Sequence, residues 1–168
     1  QKEGIGTMNE PAWVIEARRH IGVKEIPGPR HHPKILEWWR AIRRGGIKRD
    51  EVPWCAAYVG GCLEAVGIIS SRFESARSYM TWGVPIPQPV LGCVAVFSRK
   101  GGGHVGFVTG MVDDGRLLIL GGNQNDQVSI APFDRGRLVG YRWPQAVPIT
   151  DRSLPVLASK QRSSTNEA

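Results

Sequence analysis

The sequence contains few of the residues that most often crosslink a chain or carry its chemistry. Its 168 residues include three cysteines and four histidines. An odd and small number of cysteines argues against a disulfide framework. No apolar run reaches the length of a membrane span, and the N-terminal region lacks the apolar core of an export signal. With 41% hydrophobic and 22% charged residues, the chain has the composition of one globular domain.

Positive charge is in excess. The net charge is +7 and the sequence pI is about 9.8. Such a balance favours anionic partners, either nucleic acid or the anionic bacterial envelope. The basic residues are scattered, however, and no nucleic-acid-binding motif with interleaved aromatics is present. We therefore expect a basic solvated surface, no nucleic-acid partner and no transmembrane segment.

Helical patterns come first in the chain and strand patterns follow. Periodic apolar positions predict helices over residues 11–22 and 33–44 and from Cys55 to near Gly67, with a short helix over 75–82. This order predicts an α+β fold in which N-terminal helices pack on an antiparallel sheet of about five short strands. The five predicted strands, separated by turn residues, are Cys93–Phe97, His104–Met111, Leu117–Leu120, Val128–Ala131 and Leu138–Trp143.

Composition divides the chain into three parts. Residues 1–10 are expected to be a leader or an expression remnant, and residues 11–148 to form the folded domain. Residues 149–168 are polar and are expected to be a disordered tail. Nothing in the pattern suggests a repeat, and we expect a monomer.

Cys55 is the cysteine best placed for chemistry. It lies just after Pro53 and Trp54, at the predicted start of the third helix. Free backbone N–H groups and the helix dipole favour an anion there, so the pKa of this thiol is expected to be lowered. Cys62 follows seven residues later, roughly 10 Å along a helix, which is too far for a disulfide. Cys62 and Cys93 are therefore interpreted as core residues.

His104 is the best candidate for the base that a cysteine nucleophile needs. It follows three glycines and opens a predicted strand. His20 is near the end of a surface helix, and His31 and His32 lie in a proline-rich loop. For those three histidines a solvated or capping role is the simpler interpretation.

Asn123 is the expected third group. With a simple two-residue hairpin turn at residues 113–115, His104 lies opposite or diagonal to Asn123 on one face of the sheet. A three-residue loop or a bulge would break this pairing. The pattern thus predicts a catalytic set of Cys55, His104 and Asn123, with Gln124 and Asp126 as alternates for the third position.

Four elements in this order resemble the phage-associated branch of the NlpC-type and CHAP cysteine peptidases and amidases. They are Pro53-Trp54-Cys55-Ala56-Ala57-Tyr58-Val59, Ala76-Arg77-Ser78-Tyr79, Gly103-His104-Val105-Gly106-Phe107 and Leu120-Gly121-Gly122-Asn123-Gln124. The resemblance extends over roughly residues 11–143. Trp54 stands where the usual CHAP pattern has a glutamine or aspartate before the cysteine.

The resemblance implies a papain-like core and hydrolysis of a peptidoglycan amide or peptide bond. It implies Cys55 as nucleophile, His104 as base and Asn123 as orienting residue, with no cofactor and no metal. We expect a protein made in the bacterial cytoplasm that acts on the cell wall after release or injection, as an endolysin or other bacteriolytic enzyme does. The expected substrate-binding residues are Trp54, Arg77, Tyr79, Trp82 and Gln124.

Two alternatives stay open at the level of sequence. The first is a zinc-dependent hydrolase built from His31, His32 and His104, although their spacing fits no common zinc pattern. The second is a non-enzymatic basic module that binds cell wall or nucleic acid. Metal content and the relative reactivity of Cys55 would separate these alternatives from a cysteine hydrolase.

Overall fold

The computed structural model describes residues 10–27, 30–48 and 53–159. Three α-helices come first: α1 (Ala12–Arg18), α2 (Pro33–Ala41) and α3 (Cys55–Ala65). A 3₁₀ helix follows at Ala76–Thr81, and a second one occupies Arg135–Arg137. The strands are β1 (Val84–Ile86), β2 (Val94–Arg99), β3 (Gly102–Val112), β4 (Leu117–Gln124), β5 (Gln127–Phe133), β6 (Leu138–Trp143) and β7 (Val156–Leu157).

The strands form one sheet in the order β1-β6-β2-β3-β4-β5. All neighbours along this path are antiparallel, and β7 adds a short parallel pairing to β3. The α+β class, with helices packed on an antiparallel sheet, is therefore confirmed. All five predicted strands are present, whereas β1 and β7 were not predicted. Both are only two or three residues long, which is too short for a period-two pattern to register.

Helix α3 is the central helix of the domain. Its residues from Cys55 to Leu63 are all buried, because α1 and α2 cover it on one side and the sheet on the other. The Tyr58 hydroxyl donates to the Ala17 carbonyl oxygen at 2.7 Å. Gly61 allows α2 to approach closely, since a Cβ there would lie 2.3 Å from Cδ1 of Trp38. The helix that carries Cys55 is thus held rigidly against the sheet.

The β3–β4 hairpin has a three-residue loop and a bulge. The Val112 N–H donates to the Arg116 carbonyl at 2.8 Å, and Gly115 adopts a φ of 96° in the loop. The β3–β4 register then shifts between Val108 and Gly110. The loop has one residue more than the predicted two-residue turn, but the bulge offsets it. Phe107 therefore pairs with Leu120 in the register that a turn at Asp113-Asp114 predicts.

The two ends of the chain are described only in part. Residues 1–9 and 160–168, which belong to the expected leader and tail, lie outside the described residues. Within the expected tail, Val156 and Leu157 pair with Met111 and Val112 of β3. None of the helices in the described ranges is long and apolar enough to cross a membrane.

Candidate active site

Cys55 is the first residue of α3, as predicted, and the residue before it fixes its position. Trp54 is fully buried and its ring stacks on Trp38 with the centroids 5.9 Å apart. The Trp54 Nε1–H donates to Oε2 of Glu25 at 2.8 Å. Because burial and a charge-assisted hydrogen bond both restrain Trp54, the start of α3 and the Cys55 side chain have a defined place.

The thiol meets the sheet where the β3–β4 ladder opens. Pairing between these strands begins at Phe107 and Leu120 and does not extend toward the start of β3. A backbone hydrogen bond from Val105 reaches the Cys55 sulfur in this gap. Val105 directly follows His104, so the fold brings Cys55 and His104 to the same point of β3.

Side chains alternate between the two faces of a sheet along a strand, and this alternation determines which residues of β3 face helix α3. Tyr58 of α3 contacts Phe107 with ring centroids 6.4 Å apart, so Phe107 faces the helix. His104 lies three residues before Phe107 in a regular stretch of β3, so its side chain points to the opposite face of the sheet. Its cross-strand neighbour there is Phe97. The thiol thus meets β3 at Val105, the residue next to the histidine.

The pKa of the Cys55 thiol is raised, and the prediction of a lowered pKa is wrong. Burial is the main cause, since the residue is only 4% exposed and a thiolate loses its hydration there. Opposing effects come from the backbone N–H of Val105, the charge of Arg99 and the backbone of Ala56 and Cys55 itself. The helix start does favour the anion, but desolvation outweighs it, so the resting group is a thiol.

His104 is fully buried and its ring is held by Gln124. Its Nε2 lies 2.9 Å from Oε1 of Gln124. The Gln124 amide nitrogen donates to the carbonyl oxygens of Ile119 at 3.2 Å and Ser129 at 2.9 Å. These acceptors fix the orientation of the carboxamide, so its oxygen faces the ring. In neutral His104, Nε2 therefore carries the proton and Nδ1 is the basic nitrogen.

An aromatic ring restrains the plane of His104. Phe133 of β5 stacks on it with centroids 5.2 Å apart and an interplanar angle of 6°. Phe133 is fully buried and also contacts Phe97 at 5.0 Å. The sequence patterns did not single out Phe133, because nothing local links a residue of β5 to the start of β3.

Asn123 does not contact His104 through a hydrogen bond. Its side chain is fully buried, and neither amide atom has a hydrogen-bond partner among the described residues. Asn123 adopts a φ of 59°, and the β4–β5 register shifts between Gly121 and Gln124. A left-handed residue breaks the alternation of side chains, which is why Gln124 and not Asn123 meets the ring.

Gly121 lies where Gln124 meets His104, and the sequence patterns gave it no role of its own. A Cβ at this position would lie 2.2 Å from Oε1 of Gln124 and 3.2 Å from Nε2 of His104. Gly121 therefore leaves the space in which the carboxamide and the imidazole meet. The adjacent pair Gly121-Gly122 was the available signal, since a glycine in a strand often marks a close approach.

The expected substrate-binding residues differ in their exposure. Trp54 and Tyr79 are fully buried, and burial raises the pKa of Tyr79 to about 12. Trp82 is half-buried and its Nε1–H donates to the Ile69 carbonyl at 2.9 Å. Arg77 is exposed and lies next to the start of β3. Of these four side chains, Arg77 is the one a substrate reaches most readily.

His32, one of the three histidines of the zinc alternative, has a structural role, and His20, outside that set, has a carboxylate partner. Nδ1 of His32 accepts a hydrogen bond from the Lys34 N–H at 3.1 Å and so caps α2. His20 contacts Glu16 at 2.7 Å on α1. Within residues 10–27, 30–48 and 53–159, no group of three or more His, Cys, Asp or Glu side chains is arranged to hold a metal ion.

A comparison with protein families identifies a similarity in the middle of the chain. The CHAP domain family matches residues 47–123, a segment that contains Cys55, His104 and the opened part of β4. A search of curated proteins found no match to the chain. CHAP domains are cysteine peptidases and amidases of peptidoglycan. Residues 47–123 are therefore similar to a CHAP domain, a peptidoglycan hydrolase domain of the cysteine peptidase or amidase type.

Proposed function

We propose that this protein cleaves a peptide or amide bond of peptidoglycan through a covalent thioester on Cys55. His104 acts as base and acid, and Gln124 takes the orienting role that the sequence assigned to Asn123. The observation that supports the proposal is the hydrogen bond from the Val105 backbone to the Cys55 sulfur, because Val105 is the residue after His104, whose ring contacts Gln124.

The first half-reaction begins from a neutral pair, because burial raises the pKa of Cys55. Nδ1 of His104 removes the thiol proton as the sulfur attacks the carbonyl carbon of the substrate. The Nε2–H that donates to Gln124 keeps the ring in the tautomer this step requires. As positive charge develops on the ring, the Gln124 carbonyl dipole stabilises it.

The second half-reaction returns the enzyme to its starting state. The tetrahedral intermediate collapses, the C–N bond breaks, and the leaving amine takes the proton from His104, which leaves a thioester. His104 then removes a proton from water, the resulting hydroxide attacks the thioester carbonyl, and Cys55 leaves as a thiolate that regains that proton. We assign stabilisation of the oxyanion to the backbone N–H groups at the start of α3, which have no partner within the helix.

The proposal is tested with purified sacculi and defined muropeptides. Cys55→Ala and Cys55→Ser are expected to abolish release of soluble fragments, and mass spectrometry of the wild-type products identifies the bond that is cut. Cys93→Ala is the matched control, because it removes the same group from an equally buried site away from His104. Cys93→Ala protein that is folded, as judged by circular dichroism, is expected to retain activity.

Three outcomes would contradict the mechanism. If Cys55→Ala solubilises sacculi at the wild-type rate, Cys55 is not the nucleophile. If a chelator abolishes activity and zinc restores it, the enzyme is a metal hydrolase. A wild-type protein that binds sacculi without releasing fragments would instead be a binding module.

A further inference from the structure

Two arginines flank the start of the strand that carries His104. Arg77 belongs to the first 3₁₀ helix and Arg99 is the last residue of β2. Nη2 of Arg77 donates to the Gly102 carbonyl at 3.3 Å, and Nε of Arg99 donates to the Gly103 carbonyl at 3.2 Å. These carbonyls belong to the two residues directly before His104, so both guanidinium groups lie beside the proposed reaction centre.

Backbone and packing contacts hold this arginine pair in place. The β2–β3 register sets Arg99 opposite Gly102. A Cβ at Gly103 would lie 3.5 Å from Cγ of Arg77, so the aliphatic part of that side chain covers Gly103. The charge of Arg99 also favours the thiolate of Cys55, which places the thiol within its electrostatic reach.

The charges of the arginine pair are not neutralised within the described ranges of the chain. No carboxylate there forms an ion pair with Arg77 or Arg99, whereas Arg18, Arg72 and Arg116 each have one. A guanidinium carries five N–H donors, and each of the two uses one donor on a carbonyl. The remaining donors suit a carboxylate, which matches the planar fork. Arg77 is exposed and Arg99 half-buried, so a ligand has access to both.

We propose that Arg77 and Arg99 together bind a free carboxylate of the substrate close to the scissile bond. The substrate class is then an acidic peptide, namely a peptidoglycan stem that retains a carboxylate, in preference to the same stem with that group amidated. This inference rests on the proposed hydrolysis of peptidoglycan and adds the group that the site selects.

The test uses synthetic N-acetylmuramoyl stem peptides that differ by one functional group. One peptide contains γ-linked D-glutamate, the second contains D-isoglutamine at that position, and the third has its C-terminal carboxylate amidated. Wild-type protein is expected to cleave one of the two amidated peptides with kcat/KM about tenfold to a hundredfold below that of the parent peptide, the range for a lost charge-assisted contact.

Arginine variants test whether Arg77 and Arg99 cause the preference for a free carboxylate. Arg77→Gln and Arg99→Gln are expected to lower kcat/KM for the parent peptide by a similar factor and to have little effect on the sensitive amidated peptide, because the partner of the lost charge is already absent. Arg99→Lys retains the charge and is expected to recover part of the loss. Arg152→Gln removes an exposed charge on the segment before β7 and is the control for net charge.

The outcomes separate this inference from the proposed function. If wild-type protein cleaves all three peptides equally well, carboxylate selection is wrong while the hydrolase assignment stands. Carboxylate selection by the arginines is also wrong if their variants lose activity equally on the parent and amidated peptides. If wild-type protein cleaves neither these peptides nor sacculi, the proposed function itself fails.

Discussion

Gln124 is held at both ends of its carboxamide, with its oxygen on His104 and its nitrogen on two carbonyls of β4 and β5. These contacts leave the carboxamide one orientation, and its hydrogen bond to Nε2 orients the imidazole of His104. Asn123, next to it, is buried without a hydrogen-bond partner among the described residues. At the scale of single residues, the two adjacent amides therefore have different roles.

Variants at these two positions should have unequal effects on catalysis. Gln124→Ala is expected to lower kcat by at least about tenfold with KM little changed, because a misoriented base loses part of the roughly 10²–10⁴-fold that acid–base catalysis supplies. Asn123→Gly keeps the left-handed backbone available and is expected to leave kcat within a few fold of wild type. Steady-state kinetics on a defined muropeptide measures both values. The reverse ranking would restore Asn123 as the orienting residue.

Gly121→Ala tests the same contact without altering any polar group. The added methyl would occupy the place of Gln124 Oε1, which is the end of a flexible side chain and able to shift. We expect the protein to fold, as judged by circular dichroism and its unfolding midpoint, and to lose kcat as Gln124→Ala does. Full activity in a folded Gly121→Ala protein would show that the His104–Gln124 contact is dispensable.

Helix α3 depends on small residues where it crosses α2. Trp38 of α2 occupies the space over Gly61 and also stacks on Trp54, the residue before Cys55. The close crossing therefore supports both the stability of the domain and the position of Cys55. At the scale of elements, packing between two helices determines where the thiol lies.

Gly61→Ala should destabilise the protein, although alanine is the better helix former. Overpacking of a core costs about 1–3 kcal/mol, against a gain of up to about 1 kcal/mol in helix propensity, so a net loss is expected. Chemical denaturation measures this difference. Gly46→Ala is the matched control, because a Cβ there meets no atom within 4 Å, and a change within about 0.5 kcal/mol is expected. Equal effects of the two substitutions would contradict the packing argument.

At the scale of the whole molecule, all three cysteines are buried and carry protonated thiols. Burial raises the pKa of Cys55, of Cys62 and of Cys93, the last to about 12. In the unfolded chain a thiol titrates near pH 8.5. Above that pH the unfolded state loses protons that the folded state keeps, so the free energy of unfolding must decrease as pH rises.

This linkage predicts that stability decreases in mildly alkaline solution. Between roughly pH 8.5 and 10, each buried thiol contributes a slope of up to about 1.4 kcal/mol per pH unit. Urea denaturation over this range measures the total slope. Cys93→Ala is expected to make the slope shallower by about one thiol's share, whatever its effect on stability at pH 7. A stability that is constant or rises over this range would show that the thiols do not keep their protons.

The sequence alone determined the features that depend on local order. Period-two runs between glycine and aspartate turns predicted the five main strands, and Pro53 with the acidic pair before it marked the start of the helix at Cys55. The Gly-His-Val-Gly element similarly identified His104, because it stands where a strand begins. These predictions concern neighbours in the chain, and neighbouring residues are enough to make them.

Only the tertiary structure decided how those residues meet. The left-handed Asn123, in the part of β4 where the β4–β5 register shifts, places Gln124 on the histidine, and no local pattern predicts that shift. Burial by α1, α2 and the sheet reversed the expected pKa shift of Cys55, because desolvation depends on every element that covers the thiol. The stacking of Phe133 on His104 likewise joins strands that are distant in sequence.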